Sequence, residues 1–137
     1  MQRRIRQILS KRYPAQLWTI FIFILMIIPG NMFPREDTTF IPNLDKLIHA
    51  VLFGSFVFLW SYYYTIKKNA ILINRYTVLL VIASLYGIAT EFIQKYFIPN
   101  RDFSVYDIMA DITGAVIGYV IVRIKFSRFK ISADSSL

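Results

Sequence analysis

YTVLLVIASLYGIATEFIQKYF, Tyr76 to Phe97, is the stretch whose reading decides the fold. A bilayer's hydrocarbon core is about 30 Å thick and is crossed by roughly 20 helical residues. This run has that length and carries one acid, Glu91, and one base, Lys95. It reads as a transmembrane helix. Ala15 to Pro29, Lys46 to Tyr64 and Val105 to Ile124 have the same character, so the chain is expected to be all-α, a four-helix transmembrane bundle.

Composition agrees. Of 137 residues, 56% are hydrophobic and 18% charged, a balance foreign to soluble domains of this size. A net charge of +8 raises nucleic acid as a partner. The basic residues, however, sit in short blocks between apolar runs instead of forming a patch on a soluble module, which points to the lipid bilayer and away from nucleic acid. The absence of cysteine excludes disulfides and thiolate metal sites. Arg3, Arg4, Arg6, Lys11 and Arg12 before the first run resemble a signal peptide, but no small-residue cleavage site follows, so a retained first helix is expected. The chain divides into a basic segment (1–14), a membrane domain (15–124) and a basic, polar tail (125–137).

Orientation follows from the basic residues. If the helices alternate, the N-terminal block, Lys67, Lys68 and Arg75, and the tail with Arg123, Lys125, Arg128 and Lys130 share one side, expected to be cytoplasmic. Arg35, Lys46, Lys95 and Arg101 fall on the other. The loops around Met32 to Asp45 and Ile98 to Ser104 then lie outside and both termini inside. On that map Glu36, Asp37, Asp45, Glu91, Asp102, Asp107 and Asp111 all occupy outer loops or outer helix ends, and Asp134 in the tail does not.

FIPN occurs at Phe40 to Asn43 and again at Phe97 to Asn100, each shortly before an inward-running helix. No longer period accompanies it, so the two copies share a local role, in which proline stops the preceding helix and asparagine can cap the next. Ser104 to Asp107 also fits a capping box for the fourth helix, which makes a cap the plainest role for Asp107.

Asp45 and His49 are four apart, Glu91 and Gln94 three, and Asp107 and Asp111 four, so each pair shares one helix face. Helices two and four start at the outer surface and helix three ends there, so the three faces can converge. Glu91 and Asp111 lie about six residues inside their helices, roughly 9 Å along the axis. An ionisable group at that depth costs several kcal/mol unless it meets a partner or water, and so is a functional candidate. Arg101 is the natural counter-charge. Arg101 and Lys46 neutralising Glu91, Asp107 and Asp111 would make the cluster a structural staple. Three working readings stand beside that one. A divalent metal can be held among His49, Glu91, Asp107 and Asp111. Glu91 or His49 can act as general base on a lipid-linked or cell-wall substrate. Or Asp45, His49, Glu91, Gln94, Arg101, Asp107 and Asp111 form a pocket that binds an envelope component without chemistry.

Small residues give the packing faces: Gly114 and Gly118 form a GxxxG in the fourth helix, and Ala50 with Gly54 and Ala83 with Gly87 repeat the spacing in the second and third. The same GxxxG can serve a homodimer, so the sequence leaves the oligomeric state open. Tyr13, Trp18, Trp60, Tyr62, Tyr63, Tyr64, Tyr76 and Tyr96 lie near expected span ends, as an aromatic belt would.

At these residues the chain resembles the VanZ-like family of small bacterial membrane proteins, named for the teicoplanin resistance protein. The matching elements are Asp45-Lys46-x-x-His49, Glu91-x-x-Gln94, Pro99-x-Arg101, Asp107, and Asp111-x-x-Gly114-x-x-x-Gly118. Asp111 departs from the asparagine the family often carries. The resemblance implies a multi-pass protein of the bacterial cytoplasmic membrane, active at the cell envelope, with a relative that lowers susceptibility to a glycopeptide antibiotic.

Overall fold

The computed structural model describes residues 7–32, 43–68 and 70–134, with side chains described as far as Phe126. Arg3, Arg4, Arg6, Arg35, Glu36, Asp37 and the Phe40 to Pro42 part of the first FIPN lie outside the described residues, as do the side chains of Arg128, Lys130 and Asp134.

Residues 7–9 are helical, and four longer α-helices follow among the described residues: α1 (Tyr13–Met26), α2 (Leu44–Lys68), α3 (Ile73–Phe97) and α4 (Val105–Asp134). There is no strand among them. Three helices, α2, α3 and α4 as far as Phe126, are long and apolar enough to cross a membrane. The first run yields less than expected. With 14 residues, α1 is about 21 Å long at 1.5 Å per residue, short of a full crossing. Its first turn holds Pro14, whose fixed φ suits that position. It stops at Met26 because Pro29 disfavours helical backbone at the residue before it, and a 3₁₀ turn, Gly30–Met32, follows. The fourth helix exceeds expectation, running through Ile124 into the basic tail.

Both FIPN asparagines adopt left-handed backbone, Asn43 and Asn100 each at φ 56°. Asparagine tolerates this conformation better than most residues. That is their shared role, and it corrects the expectation that Asn100 caps α4: the residue before that helix is Ser104.

Helices α2 and α4 make the most extensive contact, and they run parallel. Gly114 lies against the backbone of Ala50, and Gly118 against that of Gly54, so closely that a methyl group on either glycine would collide with a carbonyl. Helix α3 runs antiparallel to both, and α1 packs chiefly on α2. Ile22, Met26, Leu52, Phe53, Phe56, Val57, Ala83 and Ala115 form one buried cluster. Tyr62, Tyr76, Val122 and Phe126 form a second, farther from the acid-bearing end. Tyr76 is fully buried and hydrogen-bonds Thr65. Tyr62 and Tyr76 therefore belong to the core instead of an interfacial belt. Outside the core, large apolar side chains such as Leu17, Val51, Leu85, Phe92 and Ile117 face outward, as lipid contact requires. At the basic end, Arg12 sits over Trp60, Lys67 over Tyr63, Arg75 over Tyr64 and Lys125 over Tyr62, so long cationic side chains pair with aromatic faces there.

Candidate functional site

Antiparallel packing brings the first turns of α2, the last turns of α3 and the first turns of α4 to one end of the bundle. His49, Glu91, Gln94, Asp107 and Asp111 are all buried there, and Asp45 and Arg101 are partly buried.

His49 is the centre. Its Nδ1 lies 2.9 Å from Asp111 Oδ1, between two side chains removed from solvent. A carboxylate only accepts, so a proton belongs on Nδ1, and Nε2 is the nitrogen left outside that bond. Nε2 faces Asp45, whose Oδ1 is 4.0 Å away, beyond a hydrogen bond. Asp111 also presses on α3: a methyl group on Gly87 would come within 2.6 Å of Asp111 Oδ2. Expected as a packing residue, Gly87 makes room for a site carboxylate.

Asp107 faces Lys46, with Oδ1 3.9 Å from Nζ. The capping box is only half present in its expected form. Ser104 Oγ accepts the Asp107 N–H at 3.2 Å, but the Ser104 N–H donates to Glu91 Oε2 of α3 at 2.9 Å. A carboxylate from a neighbouring helix thus takes the place that the pattern assigns to Asp107, and leaves Asp107 for the cluster.

Gln94 is directed elsewhere. Its Nε2 donates to the carbonyl of Met26 at 3.0 Å, satisfying an end carbonyl of α1. Nothing in the sequence marks Met26 as that partner. Arg101 belongs to the 98–104 loop, which is held to the end of α1 by the Gly30 N–H donating to Pro99 O at 3.2 Å.

Three carboxylate oxygens, Glu91 Oε1, Asp107 Oδ1 and Asp111 Oδ2, are buried with no hydrogen-bond partner among the described residues. An unpaired buried polar group costs about 1–3 kcal/mol, so three at one end of a small bundle form a conspicuous demand for donors or cations. The metal set read from the sequence is regrouped. A ring nitrogen of His49 and one oxygen each from Asp45 and Asp107 lie within 4.8 Å of one another. Asp111 instead holds Nδ1 and Glu91 holds Ser104, so neither joins that group.

No curated protein and no solved structure matches the chain. A family model described as VanZ/LLP1 matches residues 3–126, which takes in α1, α2, α3, α4 as far as Phe126 and every residue of the cluster. The chain is a multi-pass membrane protein and belongs to the VanZ/LLP1 family.

Proposed function

We propose that the protein recognises a lipid-linked or cell-wall component at the outer face of the bacterial cytoplasmic membrane, with both termini cytoplasmic. The observation that carries this reading is the set of three buried carboxylate oxygens without a hydrogen-bond partner among the described residues, at the end of the bundle opposite Arg12, Lys67, Arg75 and Lys125. A staple made only to hold helices would pair its acceptors, whereas a binding site leaves some for its ligand. The orientation is supported by Arg12, Lys67, Arg75 and Lys125 gathering with aromatic rings at the far end, as cytoplasmic-side anchors do. The teicoplanin-related member of the VanZ-like family gives the same envelope setting.

Native mass spectrometry of the full chain extracted in mild detergent tests this. The wild type is expected to release one defined envelope lipid per chain, and Asp45→Asn and Lys46→Gln to lose it without a fall in melting temperature. Identical bound lipid in all three would sink the reading.

One observation favours a catalytic alternative: the His49–Asp111 pair leaves an imidazole nitrogen as a base beside Asp45. Glu91, the other candidate base, is engaged in holding Ser104. In that reading His49→Gln abolishes turnover of an envelope lipid while binding survives.

A further inference from the structure

We infer that Asp45, His49 and Asp107 form a binding site for a divalent transition-metal ion, with Asp111 orienting the imidazole. This rests on the cluster being a binding site, and it names what that site holds first.

The ligand set follows from the geometry. One ring nitrogen and two carboxylate oxygens already lie within 4.8 Å of one another. Because Asp111 occupies Nδ1 at 2.9 Å, Nε2 is the nitrogen that remains, and it faces an oxygen of Asp45 4.0 Å away, a gap that a metal ion would bridge with Nε2 deprotonated. Ligands bound at about 2.1 Å to one ion stand roughly 3.4 Å apart at a tetrahedral angle, so His49 Nε2 and the Asp45 oxygen, 4.0 Å apart, need to close by roughly 0.6 Å, and a pair at the 4.8 Å limit by roughly 1.4 Å. A carboxylate that holds the non-ligating nitrogen of a histidine is the usual outer support of a metal site, and Asp111 is placed for it.

Asp107 is an independent pointer. It is 6% exposed, and its Oδ1 has no hydrogen-bond partner among the described residues. Lys46 stands 3.9 Å from that oxygen, with a side chain 30% exposed, so it screens the charge without making a hydrogen bond to it. Charge gives the valence. Metal-bound carboxylates are deprotonated, so the two of the set, Asp45 and Asp107, would bring two negative charges, which one divalent ion balances. The imidazole gives the class: nitrogen with carboxylates suits zinc or its first-row neighbours, whereas magnesium prefers oxygen and retained water. Such an ion would give an acid-rich site affinity for an anionic head group, which its own carboxylates would otherwise repel.

The test is a calorimetric titration of the full chain in detergent, stripped with chelator, using Zn²⁺ alone and then Mg²⁺ alone. The expected result is one Zn²⁺ per chain, bound at least tenfold more tightly than Mg²⁺, with affinity at least tenfold lower in both Asp45→Asn and His49→Gln. Asp45 has a side chain 39% exposed, so its variant keeps the fold even where His49→Gln does not. Absence of saturable Zn²⁺ binding, wild-type affinity in Asp45→Asn, or preference for Mg²⁺ overturns the site. No envelope lipid enters the titration, so its failure leaves lipid recognition standing, and loss of co-purified lipid leaves the metal result standing.

Discussion

Glu91 of α3 accepts the backbone N–H of Ser104, the residue before α4, at 2.9 Å. This one bond fixes where the fourth helix begins relative to the third, and it sits directly above Asp107 and Asp111. It separates two roles for Glu91 by experiment. Glutamine keeps an oxygen that accepts the same N–H, so Glu91→Gln should melt close to the wild type. Glu91→Ala leaves a buried donor unpaired and should lose about 1–3 kcal/mol, read as a lower melting temperature in detergent. Equal stability of the alanine variant would remove Glu91 from the cap.

Glu91 also shows what was legible in the sequence. Its depth inside an apolar run marked it as a site residue, because hydropathy reports position along the membrane normal. Spacing within a helix was legible too: Asp45 and His49 share a face, as do Asp107 and Asp111. Rotation between helices was not legible. The sequence paired His49 with Asp45 four residues away, but the bond goes to Asp111, 62 residues on, because the close parallel contact of α2 and α4 sets Asp111 beside His49. Gln94 is a case of the same kind: its spacing with Glu91 places it on the same face, while its reach to the Met26 carbonyl depends on where α1 ends. That end is set by Pro29, which a count of apolar residues overlooks.

Gly87 and Asp111 make a coupled pair. A methyl group on Gly87 would approach Asp111 Oδ2 to 2.6 Å, so Gly87→Ala must push the carboxylate and with it the His49 bond. The single variant should cost about 1–3 kcal/mol by overpacking. Asp111→Ala removes two of the obstructing atoms, Oδ2 and Cγ, and leaves Cβ at 2.8 Å, so in the double variant the added cost of Gly87→Ala should shrink by at least about 0.5 kcal/mol. Additive losses in thermal unfolding would show that Gly87 serves only general helix contact.

Gly114 tests the parallel contact of α2 and α4. Its added methyl would meet the carbonyl of Ala50, which is backbone and cannot swing aside, so Gly114→Ala should force the helices apart and cost about 1–3 kcal/mol. Ile117, in the same helix but facing outward, is the control. Ile117→Ala should stay within about 0.5 kcal/mol of the wild type, since it disturbs no buried contact. If both variants melt alike in detergent, the small-residue face is not what holds α2 to α4.

The absence of cysteine from the sequence makes orientation directly measurable. Asp102 in the α3–α4 loop and Ala70 in the α2–α3 connection are both exposed, and they lie at opposite ends of the bundle. With Lys67, Lys68 and Arg75 flanking Ala70, the proposed orientation turns the basic side to the cytoplasm, so a single cysteine at Asp102 should react with a membrane-impermeant maleimide on intact cells. Ala70→Cys should react only after permeabilisation. The reverse pattern would turn the cluster toward the cytoplasm, and with it the class of ligand: a site open to the cell wall can meet lipid-linked precursors and extracellular ions, whereas an inward one meets cytosolic phosphates. Neither Asp102 nor Ala70 belongs to the buried cluster, so both substitutions leave its geometry intact, and a change of labelling reports topology alone.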